Sequence, residues 1–433
     1  MSFAFLASIT SLFGVALIGA PIALSIFAAV IVFLMLSGQD VGLVAEQSLN
    51  GLFGSFVLLA VPLFITAASI MNASAVTDRL LTFCVALVGR FRGGLAQVNV
   101  IASLIFSGMS GSAIADAAGI GHIIIRMMTK ENRYPRGFAA AVTAASSVIG
   151  PIIPPSIPMI MYALVSDASI GFLFLGGIIP GLVMAGFLMI YNFYAARKRN
   201  FPQDEVVPLK QIPGITARAF PALMLPVILL SGIYGGATTP TEAAAVAAAY
   251  ALILAVFFYR SLGLRAFYDC LLESARSTSI IGLIIASALI LNYVVASENI
   301  PNMVAAWMTD FNTTPLMFML IIMALFMVLG CLFDATTLLL IVVPLFLPTA
   351  RELGIDLVYF GVVVTLNIMI GLITPPYGVL LFVINGITGI PLREIIRETW
   401  AFLFVLISAL LVLVVFPDLI LFLPKIFGYV PQS

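Results

Sequence analysis

The chain has 433 residues, carries 19 basic and 19 acidic side chains, and is 62% hydrophobic but only 9% charged. Soluble domains carry roughly 25% charged residues, so this composition, with a mean hydropathy of +1.20, excludes a large soluble core and indicates a polytopic membrane protein. The zero net charge gives no footprint for nucleic acid, and a single histidine, His122, cannot build a His-based metal site or a two-histidine catalytic pair.

The first apolar run, 3–36, has no basic segment before it and is too long for a signal-peptide core, so it reads as a retained membrane helix. Further spans of about 20 apolar residues are predicted at 52–72, 137–165, 170–196, 218–232, 234–258, 276–298, 357–388 and 399–424. Two other apolar segments, about 96–128 and 316–348, are long enough for two half-length helices and have polar centres, Gly108-Met-Ser-Gly-Ser112 and Gly330-Cys-Leu-Phe-Asp334. Both read as re-entrant helical hairpins; the alternative for each is a single kinked helix. Cys84, Cys270 and Cys331 lie in or beside apolar runs without CxxC spacing and read as small core residues.

The spans 137–165 and 357–388 are each interrupted by a double proline, Pro154-Pro155 and Pro375-Pro376. Proline cannot donate to the carbonyl four positions back, so Pro154 frees the carbonyl of Gly150 and Pro375 that of Gly371. In lipid an unpaired carbonyl costs several kcal/mol and survives only where something else fills the gap. Matched breaks in two halves point to a carrier with ion or substrate sites at mid-membrane depth.

The halves repeat at a nearly constant offset. Gly108 matches Gly330, Gly150 matches Gly371, the proline pairs match each other, Ala73-Ser74 matches Ala296-Ser297, and Pro21 matches Pro240. A first repeat over 1–196, a hydrophilic linker over 197–217 with Asp204 and Glu205, and a second repeat over 218–433 follow from this spacing. Basic residues set the orientation: Arg126, Lys130, Arg133 and Arg136 follow the first hairpin, whereas Asp310, Glu352 and Asp356 flank the second. With basic loops in the cytoplasm the hairpins enter from opposite sides, so the repeats are predicted to be inverted.

Three clusters could carry chemistry. Ser107-Gly-Met-Ser110-Gly-Ser112-Ala-Ile-Ala-Asp116 combines a sharp turn of small residues with hydroxyls and an acid; close helix packing is the alternative. In Gly330-Cys-Leu-Phe-Asp334-Ala-Thr-Thr337, Asp334 stands where the first half has Ser112, and an acid in an apolar segment is by default a functional candidate. Sodium suits its oxygens, with Thr374 and the Gly371 carbonyl completing a shell; a proton-binding acid or a merely satisfied one are the alternatives. The third cluster is Pro151-Ile-Ile-Pro154-Pro155-Ser156-Ile-Pro158, with Thr374-Pro375-Pro376-Tyr-Gly378 as its partner. Glu242, by contrast, fits a capping box in Thr239-Pro240-Thr241-Glu242, and Asp418, Trp307 and Trp400 read as interfacial. None of the four lysines follows a glycine, so there is no P-loop and no ATP-driven transport by this chain. An intramembrane aspartyl protease using Asp116 and Asp334 would leave the proline breaks unexplained.

At Phe106-Ser-Gly-Met-Ser-Gly-Ser-Ala-Ile-Ala-Asp116, Gly150-Pro-Ile-Ile-Pro-Pro-Ser156, Gly235-Gly-Ala-Thr-Thr-Pro-Thr-Glu-Ala-Ala-Ala245, Asp334 with Pro344, and Gly371-Leu-Ile-Thr-Pro-Pro376, the sequence resembles the large membrane subunit of tripartite ATP-independent periplasmic (TRAP) transporters over nearly its whole length. The resemblance implies an all-α, inverted-repeat, elevator-type importer in the bacterial inner membrane, coupled to sodium and without a cofactor. It implies two partners, a small four-helix membrane subunit (Q type), expected here as a separate chain, and a periplasmic substrate-binding protein (P type). It further implies organic-acid substrates such as sialic acid or C4-dicarboxylates. Carried over residue by residue, Ser110, Ser112, Gly150 and Pro155 would fall at one sodium site and Asp334, Thr337, Gly371 and Thr374 at the other. Substrate would lie between hairpin tips and breaks, near Ser107, Ser110, Asp116, Pro154, Ser156, Pro375 and Pro376. A stand-alone sodium/carboxylate symporter and, remotely, an intramembrane hydrolase are the competing readings.

Overall fold

The computed structural model describes residues 2–203, 207–310 and 313–431, and among them every regular element is helical. Asp204 and Glu205 of the predicted linker lie outside the described residues, as do the side chains of Trp307 and Asp310. Seven described helices are long and apolar enough to cross a membrane.

The chain opens with α1 (Phe3–Leu17), α2 (Ile22–Ser37), α3 (Leu43–Gly54), α4 (Ala60–Ala73) and α5 (Val76–Val88). The first hairpin pairs α6 (Gly94–Ser110) with an arm made of α7 (Ala113–Asp116), a wide turn over Ala117–Gly121 and α8 (His122–Thr129). The first interrupted helix is α9 (Arg136–Ser147) followed by α10 (Ile157–Ser166), and α11 (Ile170–Lys198) closes this half. The second half runs through α12 (Ile212–Tyr234), α13 (Pro240–Ile253), α14 (Leu264–Ser297) and α15 (Ile300–Asp310). Its hairpin runs from α16 (Pro315–Leu332) through α17 (Ala335–Thr337) and an irregular helical stretch to α18 (Leu347–Glu352), with the Phe326 and Phe346 rings meeting edge-on between the arms. Then come the interrupted α19 (Leu357–Gly371) and α20 (Val379–Thr388), α21 (Leu392–Val415) and α22 (Pro417–Ile426).

Several sequence expectations shift. The run 3–36 is not one helix: Gly19, at φ +92°, and Pro21 turn the chain between α1 and α2, which pack on each other. Likewise 399–424 divides at Phe416, just before Pro417, where α extension is disfavoured. The linker is shorter than 197–217, because α12 begins at Ile212 with Pro213 in its first turn. Helix α5, not anticipated, buries Thr77, Leu80, Leu81, Cys84 and Val88 along one face while Asp78 and Arg79 lower its mean hydropathy.

At the centre lie α9 and α19. Every residue of α19 is buried, and so is every residue of α9 from Gly137 to Ser147. A helix apolar or small on all sides has no solvent face to offer, so it takes the middle of the body. Each packs on the first arm of its own hairpin, α6 or α16, and α9 also packs on α21. The halves are locked together where Tyr162 of α10 lies across Gly361 of α19: its hydroxyl donates to the Leu357 carbonyl at 2.7 Å, and a Cβ on Gly361 would stand 2.2 Å from its ring. The scaffold helix α13 starts with the capping box read from the sequence: Glu242 accepts the Thr239 N–H at 2.8 Å while the Thr239 hydroxyl accepts the Glu242 N–H.

Because the Tyr162 ring fills the space above Gly361, Gly361→Ala is expected to cost about 1–3 kcal/mol by overpacking. A lowered thermal-unfolding midpoint in detergent checks this.

Candidate functional site

The first hairpin turns at Gly111, whose φ of +58° suits a residue without a side chain, and Ser112 caps α7 by accepting the Ala115 N–H at 3.3 Å. This tip lies against the break between α9 and α10. A Cβ on Gly111 would sit 2.5 Å from the Pro155 carbonyl oxygen, and one on Gly150 would sit 3.0 and 3.5 Å from the Ser147 and Ser112 carbonyl oxygens. Glycine at both positions is what lets so many backbone oxygens crowd together. The break satisfies some of them itself: the Ser147 carbonyl accepts the Gly150 N–H at 3.0 Å, and the Ser156 hydroxyl donates to the Pro151 carbonyl. Among the described residues, the Gly150, Pro154 and Pro155 carbonyls accept no hydrogen bond. Beside them the buried Ser110 hydroxyl likewise has no partner among the described residues. Both Pro154-Pro155 and Pro375-Pro376 are cis.

The second tip is built differently. Asp334 caps α17, accepting the Thr337 N–H at 3.1 Å and the Thr337 hydroxyl through its other oxygen. Here hairpin and break touch backbone to backbone, since a Cβ on Gly371 would lie 2.6 Å from the Gly330 Cα. The Gly371 carbonyl, expected free, accepts the Thr374 N–H at 2.9 Å, because the chain tightens into a three-residue turn before Pro375. The Thr374 carbonyl accepts the Gly378 N–H at 3.0 Å and the Cys331 thiol at 3.1 Å, while its hydroxyl donates to the Ile370 carbonyl at 3.0 Å. Pro376 and Tyr377 are exposed, whereas Pro154, Pro155 and Ser156 are buried. The first break is thus closed in and the second open. The Pro375 and Pro376 carbonyls, like those of Pro154 and Pro155, accept no hydrogen bond among the described residues, and the two breaks differ in that the Gly371 carbonyl is paired and that of Gly150 is not.

The two tips cross over: α7 lies against α20, and α17 against α10. Ser110, Ser112, Gly150, Pro154 and Pro155 therefore gather at one tip, and Asp334, Thr337, Gly371, Thr374 and Pro375 at the other, each beside the opposite half's helix. Three of the predicted residues are engaged elsewhere or turned away from the tips. The Ser107 hydroxyl donates to the Leu104 carbonyl at 2.7 Å within its own helix, and Ser156 is occupied as the cap of α10. Asp116 points into the body, wholly buried beside the Ser103 and Ser147 hydroxyls.

Behind Asp116 runs a polar network the sequence reading did not include. Asn99 donates to the Thr143 hydroxyl at 2.6 Å and accepts from Ser146 at 3.0 Å, and Ser103 donates to Ser146 at 3.1 Å, all four fully buried between α6 and α9. Spacing offered a signal. Asn99 and Ser103 are four apart, as a single helix face requires.

Hairpins meeting interrupted helices, inside an all-helical body with seven membrane-length helices, define an integral, polytopic membrane protein. The chain belongs to the family described as tripartite ATP-independent periplasmic transporter, DctM component, which matches residues 9–419. It is 39% identical over 424 residues to the sialic acid TRAP transporter large permease protein SiaM of Vibrio cholerae, covering 98% of this chain and 99% of the relative. It is also 39% identical over 373 residues to the C4-dicarboxylate TRAP transporter large permease protein DctM of Pseudomonas aeruginosa, covering 86% and 87%. The crystal structure of the YdaH transporter of Alcanivorax borkumensis shares the fold, with a TM-score of 0.60 and 14% identity over 86% of this chain and 87% of that one. The relatives are permeases, so this chain's role is transport and not catalysis.

Gly371→Ala would drive a methyl into the Gly330 backbone, whereas Gly386, also helical, has open space at the corresponding point. Gly371→Ala is expected to lower the thermal midpoint of the purified protein, and Gly386→Ala to leave it unchanged or raise it through better helix propensity, about 0.5–1 kcal/mol. Melting the two variants side by side checks the contact.

Proposed function

We propose that this chain is the large membrane subunit of a sodium-coupled importer that carries an organic acid across the bacterial inner membrane. The observation that carries the reading is the group of backbone oxygens at the first tip, Gly150, Pro154 and Pro155, left without donors in a closed interior. A buried acceptor without a partner costs about 1–3 kcal/mol. A hard cation bound by oxygens removes that cost, and Ser110 and Ser112 add side-chain ligands. Asp334, Thr337, Gly371 and Thr374 form the second site in this reading, where a carboxylate supplies what the paired carbonyls do not.

The acid binds between the tips, against the breaks around Pro154 and Pro375. Asp116 belongs to the wall behind that space and not to its opening. The halves act as inverted repeats, and the hairpins with α9, α10, α19 and α20 move as one body against a scaffold of the remaining helices. An empty carrier leaves its carbonyls unsatisfied in the low-dielectric interior, so it crosses reluctantly, and this ties sodium to substrate. A small four-helix membrane subunit supports the scaffold, and a periplasmic binding protein delivers the acid. Sialic acid and C4-dicarboxylates are the substrate classes favoured by the names of the relatives.

Proteoliposomes test this directly. Uptake of a carboxylate should require a sodium gradient and a loaded binding protein; uptake without added protein would favour a stand-alone symporter. Asp334→Ala is expected to reach the membrane in normal amount and to lose sodium-dependent uptake by tenfold or more. Unchanged sodium dependence in that variant removes Asp334 from the site. Ser110→Ala, which leaves the fold's hydrogen bonds intact, is expected to raise the sodium concentration needed for half-maximal uptake.

A further inference from the structure

At the far end of the first hairpin a cavity of about 230 Å³ opens between α8, the first turn of α9 and the C-terminus of α20. Its polar side chains are His122, the exposed Arg126 and Arg136, Thr129 and Thr388, and residues 387–390 form the facing wall. Among the described residues, neither Arg126 nor Arg136 pairs with a carboxylate or donates a hydrogen bond. The Nδ1 atom of His122 is buried there, also without a partner.

The facing helix end does not supply the missing acceptors. The Asn385 carbonyl accepts the Gly389 N–H at 2.8 Å, the Ile384 carbonyl accepts the Thr388 hydroxyl at 2.6 Å, and the Ile390 carbonyl accepts the Asn385 amide at 2.7 Å. Among the described residues the last-turn carbonyls of Ile387, Thr388 and Gly389 accept no hydrogen bond, and neither guanidinium donates to them.

Gly389 closes α20 with φ +69°, and 222 residues earlier Asp167 closes α10 with φ +61°. At that other end, Arg351 in the last turn of α18 donates to the Ser166 carbonyl at 3.1 Å and lies 3.9 Å from the Asp167 carboxylate. Arg126 occupies the last turn of α8, but glycine stands where the other half has its acid. One half thus carries an acid at this helix end; the other has glycine there, beside two arginines and a histidine, with Glu394 packed against Gly137 next to Arg136 and paired with neither arginine.

We propose that this cavity is an oxyanion site that takes a carboxylate or phosphate group between Arg126 and Arg136, with His122 at its floor. Planar guanidinium forks match the oxygens of either group. The same chemistry can come from a dissolved anion or from a phospholipid headgroup, and the assignment does not depend on sodium coupling.

Because His122 is the only histidine, it serves as a built-in reporter. The full chain, tag removed and labelled with ¹³C-histidine, gives one imidazole resonance to follow in detergent and in nanodiscs. Inorganic phosphate added in detergent is expected to move that resonance saturably, with a midpoint at least tenfold higher in the R126Q/R136Q variant; this assigns a dissolved anion. A difference between phosphatidylglycerol and phosphatidylcholine nanodiscs that disappears in the variant assigns the headgroup. The charge-conserving R126K/R136K variant, which keeps the cytoplasmic-type charge balance, should bind more weakly than wild type but measurably. A resonance unmoved by phosphate and by lipid alike, or moved equally in wild type and both variants, overturns the site.

Discussion

A carbonyl oxygen in an apolar interior must be paired, and the two proline breaks are where this chain cannot pair its own by helix geometry. Everything around the breaks answers to that constraint. At the first, Ser156 and the Gly150 N–H take up the Pro151 and Ser147 oxygens and leave those of Gly150, Pro154 and Pro155 open. At the second, a tightened turn, a thiol and a backbone N–H occupy the Gly371 and Thr374 oxygens, and a carboxylate stands in their place on the facing hairpin. The breaks are alike in sequence and unlike in electrostatics. One offers backbone dipoles in a closed space, the other a carboxyl group near an open one.

Glycine makes this geometry attainable. Gly111, Gly150, Gly330 and Gly371 remove the side chains that would hold hairpin and break apart, so main chain meets main chain. The wholly buried α19 and α9, which is buried from Gly137 on, supply the backing, and the crossing of α7 with α20 and of α17 with α10 makes each tip part of the other half's surroundings.

Much of this was readable from the chain because proline acts locally. A missing N–H and a fixed ring break a helix wherever they occur, so the interruptions at Pro154 and Pro375 needed no tertiary knowledge. The polar centres at Ser110 and Asp334 likewise marked turns inside apolar runs. Hydropathy alone could not find the turn at Gly19–Pro21, since apolar residues flank it on both sides, nor α5, whose charged face dilutes its average. The partner taken by the Gly371 carbonyl depends on a turn three residues ahead, and the network of Asn99, Thr143 and Ser146 depends on which faces of α6 and α9 meet. Neither is encoded in one segment alone. Asp116 shows the same limit: its position beside the tip was legible, its inward direction was not.

The longest helix has a consequence of its own. With 34 residues, α14 extends about 51 Å at 1.5 Å per residue, well beyond a hydrocarbon layer of about 30 Å. The surplus coincides with its opening turns, which carry Arg265, Asp269, Glu273 and Arg276. Sinking the helix deeper would drag those groups into oil at about 2.5–3.5 kcal/mol each for Arg or Asp. The charged stem thus serves as a depth stop that pins this part of the molecule vertically against the membrane rim.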